Sequence, residues 1–218
     1  IALVQFNGGS KDNVIAPMCQ AEIITSDPAA VTDQAFKMKD VWLAEFEGGE
    51  PGLDISVEET AVSGNALTKE CSDKVIFTLT CAPYGVQAMM RSLKGLVETS
   101  LNMGVVNTDD QELTIMFLVR SSVESKMAEM QDILNAWAQK VGAGSEISGD
   151  YPAWMYKTNS ALRPLAVETY QELFGKEPLV TTIHAGLECG LLSGKKPELD
   201  CISFGPEAHD IHSVKERL

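Results

Sequence analysis

Two strand-like segments of similar length, Val97 to Val106 and Glu112 to Arg120, flank the turn Asn107-Thr108-Asp109-Asp110. Turn-forming residues between two such runs make an antiparallel hairpin the simplest pairing. The chain ahead of them reads as strand, turn, strand: Ile1 to Phe6, the Gly8-Gly9 turn, then Ala21 to Thr25. Asp27 is a good N-cap with Pro28 at the first helical position. Val31, Ala35, Met38 and Trp42 then recur at helical spacing until Gly48-Gly49. Leu53, Ile55 and Val57 alternate with polar residues, the period of a half-buried strand. Asp73 to Cys81 is read as a helix from its length and its place before Pro83-Tyr84-Gly85. Val123, Met127, Met130, Leu134, Trp137 and Val141 form an apolar stripe, read as packing against a sheet, on a helix that ends at Gly142.

A turn-rich stretch follows, and a domain boundary is expected near Tyr151. Beyond it the order becomes helix, strand, helix, strand. Ser160 caps a helix carrying Leu162, Leu165, Tyr170 and Leu173, Leu179 to Ile183 is a continuous apolar run, Gly186 to Leu192 a short helix, and Leu199 to Phe204 a second apolar run. Continuous apolar runs between helices suggest parallel strands covered on both faces. The expected fold class is α/β: an antiparallel-sheet α+β domain over 1–151, followed by part of a parallel-sheet α/β domain over 152–218.

The 218 residues are 44% hydrophobic and 22% charged, an ordinary globular mix. No stretch approaches the roughly 18 consecutive apolar residues of a membrane span, and the first residues lack the basic flank of a signal peptide. A soluble, cytoplasmic protein without a membrane partner is expected. The first residue is Ile1 rather than Met, on a strand-like run, which reads as a cut inside a domain. Cys19, Cys71, Cys81, Cys189 and Cys201 are odd in number and widely spaced, so they are expected as reduced core or near-core thiols rather than a disulfide framework. A net charge of −14 opposes binding to a phosphate backbone, so nucleic acid is not expected as a partner.

The three histidines, His184, His209 and His212, all lie in the last segment, after the two apolar runs, where open parallel sheets gather ligands. A catalytic zinc site needs three protein ligands and an open position, and His209-x-x-His212 alone does not make one. Arg120 closes a strongly apolar strand, where a charge calls for a partner, and its planar fork suits a carboxylate. There is no G-x-S-x-G elbow, no P-loop and no G-x-G-x-x-G after a strand.

Four segments together resemble, in the same order, motifs of the aminoacyl-histidine (Xaa-His) dipeptidases of the di-zinc exopeptidase clan. They are Phe6-Asn7-Gly8-Gly9-Ser10-Lys11-Asp12-Asn13-Val14-Ile15, Val97 through Val106, Ile183-His184-Ala185-Gly186-Leu187-Glu188-Cys189-Gly190, and Gly205-Pro206 through His212. The resemblance implies a metallopeptidase with a lid domain inserted into a split zinc-binding α/β domain. Residues 1–151 would be an incomplete lid of the dimerisation type and 152–218 the returning part of the catalytic domain, with the bridging aspartate, the glutamate base and the other metal ligands upstream of Ile1.

By the same resemblance His212 matches a zinc ligand, Arg120 the lid arginine that holds the substrate carboxylate, Asn13 the lid asparagine near the substrate, and Gly186 the loop whose backbone approaches it. His184, Glu188 and His209 receive no role, and no catalytic residue is assigned within the chain. The family usually reads Asn-x-Ile-Pro where this chain has Asn13-Val14-Ile15-Ala16-Pro17, and it has proline where this chain has Val214. The implied cofactor is zinc, two per full-length chain, with other divalent metals as alternatives. The implied partners are small dipeptides of the carnosine type and a second copy through the lid. This chain alone is expected to be inactive. The competing reading is a non-catalytic dimerisation or binding module of a metal-free relative.

Overall fold

A computed structural model describes the chain except at Val62, Ser63, Ser92, Asp150, Tyr151, 183–186 and 210–214. Its elements in order are β1 (Ala2–Gly8), β2 (Cys19–Ile24), α1 (Pro28–Glu45), α2 (Lys69–Cys81), β3 (Gly85–Met89), β4 (Val97–Thr108), β5 (Leu113–Ser121), α3 (Glu124–Val141), α4 (Leu162–Phe174) and α5 (Glu188–Lys195). They fall into two units, Ile1–Pro83 with Asn102–Leu118, and Tyr84–Leu101 with Val119–Leu218. The expected boundary at Tyr151 lies outside the described residues.

In the first unit β1 and β2 pair antiparallel, Ala2 opposite Ile24 and Gly8 opposite Cys19, and Gly8 also faces Val106 of β4. The β1–β2 register shifts between Leu3 and Gln5. Such a shift breaks the strict alternation of faces, and the consecutive Leu3 and Val4 are both buried. The Leu67 amide donates to the Leu3 carbonyl at 2.7 Å. The Thr68 hydroxyl then caps α2 by accepting from the Cys71 amide at 3.2 Å, and α2 buries Val75. Helix α1 begins as expected, with Asp27 accepting from the Ala30 amide at 3.0 Å and Pro28 in the first turn.

Leu53 to Val57, expected as a strand, has no ladder. Among the described residues no strand lies beside it to take its backbone hydrogen bonds, and it is held instead by the Lys39–Asp54 ion pair. The Lys39 ammonium keeps the Asp54 carboxyl below the usual carboxylate range.

In the second unit β3 pairs antiparallel with the first half of β4, Gly85 opposite Leu101 and Met89 opposite Val97. This strand was not expected, because Pro83-Tyr84-Gly85 marked only a helix stop. The β4–β5 hairpin is present. Within the second unit the Ser122 amide donates to the Glu98 carbonyl at 3.1 Å. Within the first, the turn closes as the Asp109 amide donates to the Glu112 carbonyl at 3.0 Å. The amides of Gln111 and Glu112 donate to the Asp109 carboxylate, which lowers its pKa. Helix α3 buries Met130, keeps the rest of its apolar stripe half-buried, and ends at Gly142 with φ 70°, a left-handed conformation suited to glycine.

Helix α4 starts on two side chains. The Ser160 hydroxyl accepts from the Arg163 amide at 3.0 Å, and Asp200 accepts from the Leu162 amide and the Ser160 hydroxyl, each at 2.9 Å. The Leu162 amide is the main cause of the lowered Asp200 pKa. Helix α5 lies against Pro152. A Cβ on Gly190 would stand 2.6 Å from the Pro152 carbonyl oxygen, and one on Gly194 3.2 Å from its Cβ.

The mixed α/β class with an antiparallel sheet is as expected, but the second, parallel layer is not seen among the described residues. Leu179 to Thr182 and Leu199 to Phe204 form no ladder, and Leu179 and Phe204 are each 89% exposed. A parallel strand draws its hydrogen bonds only from neighbouring strands. None of the described elements supplies them here. The cysteines also differ from expectation: all five are free, but Cys19 and Cys81 are exposed and the other three half-buried. No helix among the described residues is long and apolar enough to cross a membrane.

Leu101 is 2% exposed in the middle of β4. Leu101→Ala should cost about 2–5 kcal/mol, whereas Val86→Ala on exposed β3 should stay within about 0.5 kcal/mol. Urea unfolding of the two variants measures both, and equal losses would remove β4 from the centre of the fold.

Candidate functional site

The first unit carries a loop whose backbone is fixed while most of its side chains, Asn13 among them, are exposed. β1 runs into Gly8-Gly9, and the Gly9 amide donates to the Met18 carbonyl at 3.1 Å, closing the neck of the loop. Gly9 has φ 70°, and a Cβ there would stand 1.8 Å from the Gly104 carbonyl oxygen. Reciprocally, a Cβ on Gly104 would meet the Asp12 Cα and carbonyl oxygen at 2.5 Å. Loop and strand therefore touch backbone to backbone, and only glycine permits that approach at either position.

Asn102, two residues before Gly104 on β4, fixes the rest. Its Nδ2 donates to the carbonyls of Asp12 at 2.6 Å and Val14 at 2.9 Å. These two carbonyls flank Asn13, whose side chain is exposed. At the end of β4, Thr108 ties the strand to β1: its hydroxyl donates to the Phe6 carbonyl at 2.9 Å, and its amide donates to Asn7 Oδ1 at 2.7 Å. Asn13 thus rests on a loop anchored at both ends and in the middle, an arrangement suited to holding an amide toward a ligand.

Arg120 lies in the second unit, half-buried near the end of β5. The next residue, Ser121, is fixed by its hydroxyl, 3.0 Å from the Thr99 hydroxyl and accepting from the Val123 amide at 3.0 Å. Successive strand side chains point to opposite faces, so this anchoring directs Arg120 to the other face of β5. Arg120 is not free of partners.

Gly186, His184 and His212 lie outside the described residues. Glu188 is exposed in the first turn of α5. The His209 backbone bridges Arg217 in both directions, at 2.9 and 3.1 Å, while its Nε2 stands 3.7 Å from Glu207 Oε1. Among the described residues no three His, Cys, Asp or Glu side chains come together as a metal site requires. The described residues therefore do not by themselves fit zinc.

Asn102 and Gly104 stood within a segment that carried the resemblance, yet neither received a role from the sequence. The available signal was an asparagine and a glycine close together inside a strand, two residues that weaken a strand, the glycine marking close backbone approach.

The chain is similar in sequence and fold to segments of two larger proteins. Over 220 aligned residues the chain is 35% identical to the cytosol non-specific dipeptidase of Escherichia coli (strain K12), matching all of this chain and 45% of that protein. The crystal structure of aminoacylhistidine dipeptidase from Vibrio alginolyticus superposes with a TM-score of 0.87 at 30% identity, covering 99% of this chain and 44% of that one. No family model matches. The chain is homologous to these dipeptidases over its whole length and spans less than half of theirs.

Asn102→Ala should free two carbonyls and destabilise the protein by about 1–3 kcal/mol, at about 0.5–1.5 kcal/mol for each lost hydrogen bond. Amide exchange in residues 10–16 should quicken more than in β5. Unchanged exchange in the loop would show that Asn102 does not hold it.

Proposed function

We propose that this chain forms part of a cytoplasmic, metal-dependent dipeptidase that hydrolyses Xaa-His dipeptides. The observation that carries the reading is the end-to-end homology of the chain to two proteins named as dipeptidases. In this reading residues 1–151 are a lid-type domain through which two copies associate, and 152–218 are part of the catalytic domain. The exposed apolar side chains Leu165, Phe174, Leu179 and Phe204 support the second assignment, because a domain core normally buries such residues. They border a largely apolar cleft of about 1600 Å³ in the second unit. That exceeds the roughly 300–1,000 Å³ of a small-ligand pocket.

The chain's own residues would bind and orient. The Arg120 guanidinium donates paired N–H groups to the free carboxylate of the dipeptide, and its planar fork sets the carboxylate plane. The Asn13 side-chain amide, carried on backbone held by Asn102, can both donate to and accept from the peptide link. Gly186 lets the backbone approach the substrate closely. His212 is proposed as the one zinc ligand drawn from this chain, the full-length enzyme holding two metals. A single ligand cannot hold a metal pair, so this chain alone is proposed to be inactive.

Assay of the full-length enzyme tests the carboxylate role. Arg120→Ala should lose about 1.5–3 kcal/mol of transition-state binding on free dipeptides, and much less on their C-terminal amides. Equal losses on both would make Arg120 structural.

The metal role is tested by content rather than by rate. His212→Ala in the full-length protein should lower bound zinc toward one per chain with little change in circular dichroism, and His209→Ala should leave the zinc content unchanged. Two zincs retained by His212→Ala, or one lost by His209→Ala, would mean the wrong histidine has been assigned.

A further inference from the structure

The second unit brings two cysteines from separate segments onto one spot. Helix α5 carries Cys189 and Ser193 four residues apart, and therefore on one face. Both reach the same short stretch of chain. Cys189 Sγ lies 3.9 Å from the Ile202 carbonyl oxygen, and the Ser193 hydroxyl lies 3.8 Å from Cys201 Sγ. The helix cannot easily roll away from this contact, because Gly190 and Gly194 seat it on Pro152 on an adjoining face. These two contacts set Cys189 and Cys201 against each other on one side of α5, both residues are half-buried, and Cys201 also borders the cleft. Neither has a place in the proposed dipeptidase chemistry.

We propose that Cys189 and Cys201 form a dithiol that closes reversibly to a disulfide when a small disulfide oxidant enters the cleft. The Cys201 thiolate attacks the oxidant, here oxidised glutathione, forming a mixed disulfide and releasing one glutathione thiolate. The Cys189 thiolate then attacks the Cys201 sulfur of that mixed disulfide, forming the Cys189–Cys201 bond and releasing the second glutathione thiolate. The two protein thiols give up two protons and two electrons, and the oxidant is reduced to two thiols. Burial, with the Cys201 sulfur beside it, raises the Cys189 pKa. Cys201 lines the cleft, so it is the sulfur that meets the oxidant first. Closure ties α5 to the segment that follows Asp200, so the oxidation state sets how firmly one wall of the cleft is held.

The test is peptide mapping of the purified protein under non-reducing conditions after incubation with oxidised glutathione. The expected product is a linked pair of peptides containing Cys189 and Cys201, two hydrogens lighter than the sum of the free peptides and restored by dithiothreitol. Exposed Cys19 and Cys81 should carry glutathione singly. In Cys189→Ser the reaction should stop with one glutathione on Cys201. The wild type should also bind one phenylarsine oxide through two As–S bonds, losing water, and each single serine variant should lose that binding. The proposal is overturned if Cys201 in the wild type keeps a glutathione with no link formed. It is equally overturned if both thiols stay free while Cys19 and Cys81 react, or if the arsenical binds a serine variant as tightly as the wild type.

Discussion

The burial of β4 is the constraint on which the other elements depend. In its second-unit half the buried residues are Thr99 and Leu101, and in its first-unit half Gly104 and Val106, so the alternation slips by one across Asn102-Met103. Each half carries its own neighbours: β3 pairs with residues from Val97 to Leu101, and β1 meets Val106. Thr99 is fully buried, and a buried hydroxyl without a partner would cost about 1–3 kcal/mol. The Ser121 hydroxyl answers it at 3.0 Å and thereby also sets where β5 ends and α3 begins. The same strand then provides Asn102 and Gly104, so the loop bearing Asn13 inherits its position from the centre of the fold.

That inheritance matters chemically. A ten-residue connection such as Gly9 to Met18 would ordinarily sample many conformations, and ordering it on ligand binding would cost affinity. Here the cost is met in folding, through two side-chain hydrogen bonds and a glycine–backbone contact that leave no space between loop and strand. The exposed Asn13 amide can then meet a ligand with little further ordering. Arg120 is placed by a different device, the anchored Ser121 next to it, so the two proposed substrate contacts rest on separate local supports.

The elements legible in the sequence are those whose signals are local. Asp27-Pro28 opened α1, Gly142 closed α3, Ser160 opened α4, and the turn at 107–110 joined β4 to β5, because caps and turns are written in residues a few positions apart. Leu53 to Val57 and the described runs at 179–182 and 199–204 had the composition of strands without the pairing. A strand exists only through a partner elsewhere in the chain, and composition does not report one. β3 is the converse case, a segment of weak pattern made a strand by β4 beside it. For the candidate site, the resemblance proposes Asn13 and Arg120, but Asn102 grips carbonyls 90 and 88 positions away, a distance no local pattern spans.

The second unit shows what holds a region together where ladders are missing. Between Pro152 and Phe204 the described residues contain two helices and no strand, and the links that join them run through side chains. Asp200 fastens the start of α4, Lys157 reaches the Glu198 carbonyl at 3.2 Å, and Arg163 donates to the Tyr156 hydroxyl at 3.0 Å while stacking on its ring at 4.4 Å. Each such tie contributes about 1 kcal/mol and is made singly, whereas a ladder forms cooperatively along its length. A region built this way opens locally more readily than the β4 core. A covalent tie between α5 and residue 201 would therefore change its order more than the same bond placed in a sheet. Cys189 and Cys201 lie in this region, where single side-chain ties do the holding.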